Sequence, residues 1–104
     1  MIISTSHEIV GKRIKTTLGI ARGSTIRAKH LGRDIMAALK MLVGGEIKGY
    51  TEMMAQAREE AIKRMEDAAK EMGANAVVSV RFASVMIMSG TAECLAYGTA
   101  VTIE

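Results

Sequence analysis

Between Thr51 and Gly73 the residues Met54, Ala57, Ala61, Met65, Ala68 and Met72 recur every three or four positions, and only an α-helix gathers such a series on one face. Thr51 has the hydroxyl of an N-cap, and Gly73 offers the freedom of positive φ at the position after a helix. Glu59 with Lys63, Glu60 with Arg64, and Glu66 with Lys70 add i,i+4 pairs in the favoured order on the outer face, worth about 0.2–0.5 kcal/mol each. A helix with one apolar stripe needs a second layer to bury it, and the flanking segments supply strands.

After Gly73, Val78, Val80 and Phe82 alternate with Ser79 and Arg81, Ser89-Gly90 marks a turn, and Thr91 to Ile103 reads as the last strand. That strand is two-sided. Leu95, Tyr97, Val101 and Ile103 share one face, whereas Ala92, Cys94, Ala96, Gly98 and Ala100 share the other, a surface small enough for a helix or a neighbouring subunit to approach the backbone. Upstream, Ile2 to Ser6 predicts a short strand. Lys12 to Arg22 predicts a second, with Ile14, Thr16, Leu18 and Ile20 on one face. A basic stretch, Arg22 to Arg33, follows as a loop, and Leu31 to Val43 carries a shorter helical pattern stopped by Gly44-Gly45. The order β-β-α-α-β-β predicts an α+β domain over residues 1–104, with an antiparallel sheet packed on the long helix. With no proline in the chain, the edge strands lack one common guard against pairing with other chains, which favours assembly.

The 104 residues suit one domain. No apolar run approaches the length of roughly 18–20 residues that spans a bilayer, and the first residues lack the pattern of a secretion signal. The lone Cys94 has no partner for an internal disulfide, in keeping with a reducing cytoplasm. Nine methionines beside only three aromatic residues, Tyr50, Phe82 and Tyr97, point to a core filled by thioethers and small aliphatics. Charge is uneven. Residues 1–50 hold nine Lys/Arg against three Asp/Glu, net +6, and residues 51–104 hold five against eight, net −3, a polarity suited to pairing the basic half of one subunit with the acidic half of the next.

An ordered series of motifs runs through the chain: Gly44-Gly45-Glu46-Ile47, Tyr50-Thr51-Glu52, Ala57-Arg58, Arg64-Met65, Gly73-Ala74-Asn75-Ala76-Val77-Val78, Val80-Arg81 and Ala96-Tyr97-Gly98-Thr99-Ala100-Val101. In this it resembles the YbjQ-like family, named for a proposed heavy-metal-binding role. The resemblance implies a subunit similar to dodecin, with a helix on an antiparallel sheet, assembled into pentameric rings in which extra strands join neighbours. A homopentamer or a pair of such rings is therefore the expected partner state.

Candidate metal donors for a divalent or soft ion are Cys94, His7 and His30, scattered over three elements without a Cys-x-x-Cys or a helical His pair. In a ring, symmetry multiplies one ligand per subunit into a site at an axis. Candidate ligand-binding residues at subunit boundaries are Arg58, Arg64 and Arg81, which suit a carboxylate or phosphate, Tyr50 and Tyr97 as apolar walls, and Glu93. Arg81 and Glu93 also form a candidate ion pair across the last hairpin. No catalytic residue is assigned, since Ser4, Thr5 and Ser6 beside His7 lack an oriented base. Glycines 11, 19, 23, 32, 44 and 45 make no phosphate loop or dinucleotide fingerprint. The basic run Arg22, Arg27, Lys29, His30 and Arg33 lacks interleaved aromatics, which disfavours a nucleic-acid partner. The expected role is an oligomeric binding or scaffold protein. The competing readings are an enzyme with sites between subunits and a basic ring on nucleic acid.

Overall fold

A computed structural model describes residues 1–28, 46–88 and 91–104. Its elements are β1 (Ile2–Ile3), β2 (Ile14–Ala28), α1 (Glu46–Glu71), β3 (Ala76–Met88) and β4 (Thr91–Ile103). The four strands form one sheet in the order β1-β3-β4-β2, with α1 across one face, an α+β arrangement. The strand predicted from Thr91 to Ile103 and the stop at Gly73, at φ 87°, stand as read. The helix shorter in sequence, residues 31–43, and the turn at Ser89-Gly90 lie outside the described residues.

The sheet is mixed rather than antiparallel. β3 and β2 both run antiparallel to β4, but β1 pairs parallel to β3, Ile2 facing Ala76 and Ile3 facing Val77. A parallel neighbour needs a long connection, and here β2 and α1 lie between the two. β1 ends at Ile3, short of the predicted Ser6, because the serines turn the chain locally. Ser4 Oγ lies 2.6 Å from Ser6 Oγ and accepts from Ser6 N at 3.1 Å, and Ser6 Oγ donates to Glu8 O at 2.6 Å. Such side-chain bonds compete with a strand ladder.

β2 runs on through Ala28, so residues 22–28 of the predicted basic loop are strand. Register shifts between Ile14 and Thr16 and between Thr17 and Gly19 break the expected alternation. Leu18 stays packed on the core while Ile20 turns outward, and Ala21, Gly23 and Thr25 are buried beneath α1. The helix also begins earlier than Thr51, at Glu46, which puts Thr51 inside it. Its buried line is Ala57, Ala61, Met65 and Ala69, with Met72 partly buried. Ala69 thus takes the central place expected of Ala68, because strict i+4 spacing follows the row nearest the strand.

Gly23 sets how close the two layers come. A Cβ there would lie 2.3 Å from Met65 N and 2.5 Å from Ala61 O, so the strand backbone touches the helix backbone directly. Thr25 Oγ1 donates to Ala57 O at 2.9 Å just beyond. Gly98, expected to admit a helix or a subunit, instead faces Val77, Val78 and Val80 of β3. There β3 carries a bulge, with Ser79 at φ 56° and a register shift between Val78 and Arg81.

Two apolar clusters result. One lies between α1 and the sheet and includes Met65, Val77, Cys94, Ala96 and Ala100. The second is on the opposite face, where Ile9 and Ile14 pack on Ala76, Val78 and Val101. The segment leading from β1 to β2 therefore covers one half of that face. The other half, towards Ile26, Val85 and Glu93, carries no covering element among the described residues. The chain is long, 53 × 23 × 16 Å with a radius of gyration of 17.0 Å, against about 13 Å for a compact domain near 100 residues.

Candidate functional site

Cross-strand register decides which of the candidate side chains can act together. Arg22, Tyr97 and Arg81 face one another on β2, β4 and β3, so their Cβ atoms form a row with neighbours about 4.5–5.5 Å apart. All three are exposed. Arg81 Nη1 donates to Thr5 O and to Val80 O, each at 2.8 Å, and no other bond from its guanidinium is formed among the described residues. Arg22 was read as loop charge. Only the continuation of β2 and its pairing with β4 show it as Tyr97's neighbour, and nothing in residue spacing alone carries that.

Glu93 lies two rows further along, between Ile26 and Val85. The expected Arg81–Glu93 pair is therefore not formed, since Glu93 lies four positions along β4 from Arg81's partner Tyr97. Glu93 is half-buried and has no ion pair among the described residues.

The helix arginines are separate from this row. Arg64 donates to Ser24 O at 2.7 Å and pairs with Glu60 at 2.8 Å, so it clips α1 to β2 and is engaged within the subunit. Arg58 is exposed on α1. Tyr50 belongs to the first turns of α1, but its side chain lies outside the described residues.

The metal candidates do not converge. Cys94 is fully buried in the helix-side cluster, its Sγ 3.6 Å from Ser84 Oγ. His7 is exposed on the segment between β1 and β2, whose Ile9 packs on the opposite face. His30 lies outside the described residues. Among the described residues no three His, Cys, Asp or Glu side chains gather as a metal would require. The described donors of one subunit thus do not form a site for a soft or divalent metal.

Hollows lie on the surface of the described residues. One of about 750 Å³ runs along α1 past Ala55, Glu59, Ile62, Lys63 and Glu66. Another, about 500 Å³, lies by Met1, Lys12, Lys70 and Asn75. Neither takes in a residue of the candidate site.

Comparison with known proteins decides the family. A family model described as "Putative heavy-metal-binding", YbjQ_1, matches residues 1–104. The chain belongs to this family. Its relatives include the UPF0145 protein of Methanosarcina acetivorans, 60% identical over 103 residues and covering 99% of this chain and 97% of the relative. The UPF0145 protein of Thermotoga maritima is 55% identical over 104 residues, 100% of this chain and 98% of the relative. UPF0145 protein PYRAB04900 of Pyrococcus abyssi is 60% identical over 104 residues, 100% and 91%. A crystal structure from Pediococcus pentosaceus, of a protein of unknown function in the DUF74 family, shares the fold at TM-score 0.69 and 12% identity, covering 100% of this chain and 98% of that one. No helix among the described residues is long and apolar enough to cross a membrane.

Proposed function

We propose that this YbjQ-family chain acts as a cytoplasmic homo-oligomeric binding protein, a dodecin-like subunit assembled into pentameric rings, singly or in pairs, that holds a small anion or a metal ion where subunits meet. The observation that carries the reading is the pair of open sheet edges. β2 is an edge strand of fifteen residues. At the other side β1 covers only the first two residues of β3, leaving the edge from Phe82 onward without a strand among the described residues. Edges this long are templates for pairing with another chain. The elongated form supports the same reading, because a subunit that finishes its sheet on its neighbours need not be compact alone.

The ligand follows from what one subunit leaves outward. Arg58, Arg22 and Arg81 are exposed, and Arg58 and Arg22 make no ion pair among the described residues. Guanidinium groups suit carboxylate and phosphate geometry. The described residues of one subunit gather no metal cluster, so in this reading a metal draws on donors from neighbouring subunits.

Native mass spectrometry on tag-free protein purified without chelator tests both parts. A pentamer or decamer with a regular added mass per subunit or per ring supports the proposal, and the mass identifies the ligand class. A bare ring removes the ligand half, and a monomer overturns the whole reading.

A further inference from the structure

We propose that the half of the sheet face left uncovered among the described residues docks a second copy of this chain about a two-fold axis, each copy seating its Glu93 between Arg22 and Arg81 of the other. Three parallel rows of side chains cross β2, β4 and β3. The outer rows are Arg22–Tyr97–Arg81 and Ile26–Glu93–Val85, and the row between them is centred on Leu95. Successive rows on one face are two residues apart, about 6.8 Å. Tyr97 and Glu93 are therefore equidistant from Leu95.

Two such faces, stacked at the usual sheet separation of about 10 Å and related by a two-fold axis along the Leu95 row, bring each outer row against the other kind. Glu93 then meets the two guanidiniums that flank Tyr97, and the same contact repeats in reverse, as an isologous interface demands. Ile26 and Val85, 63% and 60% exposed, cover the aliphatic stems of the opposing arginines.

What the single chain lacks points the same way. Glu93 is half-buried between two aliphatic neighbours with no counter-charge among the described residues, and neither Arg22 nor Arg81 has a carboxylate partner there. Two opposite charges are thus held on one face at a spacing that forbids pairing within the subunit and permits it between subunits.

The face is three strands wide and about 14 Å by 20 Å from the strand spacing and rise, smaller than the roughly 800 Å² per partner of a standard interface. It therefore adds to an edge-joined assembly rather than replacing one, and to that extent it rests on the ring proposed above. Several copies of a weak contact around a ring act together.

The test is charge reversal read by native mass. The wild type is expected to contain an even number of subunits. Glu93→Arg alone, and Arg22→Glu with Arg81→Glu alone, are each expected to halve that mass. An equimolar mixture of the two variants should regain it, since every reversed contact is then matched. Rising salt should weaken the wild-type contact. Arg81→Glu also loses the bond to Thr5 O, so Arg22→Glu by itself serves as the variant that leaves the N-terminal segment tied, with circular dichroism confirming the fold. Unchanged mass in the reversed variants overturns the docking while leaving the ring intact. Failure of the folded mixture to reassociate overturns it too. A wild type found only as a dimer that passes the mixing test supports the docking and removes the ring.

Discussion

At the scale of single residues, backbone contact and backbone conformation matter more than side-chain size. Gly23 lies against the helix main chain, so Gly23→Ala must push α1 away from β2. The expected loss is about 1–3 kcal/mol, seen as a lower urea midpoint, and a midpoint equal to wild type would mean the two layers do not meet there. Ser79 poses the opposite case. At φ 56° it sits in the left-handed region, which costs an ordinary residue roughly 1–2 kcal/mol and a glycine little. Thermal midpoints should therefore rank Ser79→Gly at or above wild type and Ser79→Val below it. A valine variant as stable as wild type would show that the bulge relaxes. The bulge is also an anchor: Ser79 N donates to Ser6 O at 2.9 Å and Val80 N to Ser4 O at 3.0 Å, so strain at one residue ties down the segment that covers half the sheet.

At the scale of elements, the junction between α1 and β3 is fixed by one side chain. Asn75 Nδ2 donates to Ile103 O at 2.9 Å and its Oδ1 accepts from Ile103 N at 2.7 Å, pairing with the last strand as a backbone unit would. Asn75→Ala is expected to cost about 1–2 kcal/mol for two partly solvated bonds and to speed hydrogen exchange at the Ile103 amide. Unaltered exchange there would argue that the pairing is not maintained in solution. The partner of Asn75 lies 28 positions away, and no local pattern in the sequence shows a contact that distant. The same limit explains the other differences. Thr91 to Ile103 and the stop at Gly73 were legible because alternation and a glycine are local signals. The parallel pairing of β1 was not, since two residues hold no pattern. Alternation puts Ile20 on one face with Ile14, Thr16 and Leu18, because the register shifts that separate them leave no trace in composition. Thr51 offered a plausible cap within a helix that starts earlier, and tertiary contact overrides such local preferences. Of the candidate site, the sequence offers Arg81 and Tyr97 as separate candidates, and their place side by side, with Arg22 next to them, depends on register.

At the scale of the whole molecule, the layout separates a sealed side from an open one. Cys94 is enclosed beneath α1, so a thiol reagent should label the native protein only as fast as the helix layer opens. Labelling within seconds, at the rate of a free thiol, would place Cys94 at the surface and revive it as a metal donor. On the other side lie the rows and the long outer edge of β2 that no other described residue covers, and the outward amides and carbonyls of that edge suit solvent or a neighbour. If neighbours supply those bonds, folding and assembly become one equilibrium, and anything that binds only the native form adds stability by mass action. Such a chain has no melting temperature of its own. Dilution acts on it as a denaturant does, and a cell that makes fewer copies makes each copy less durable.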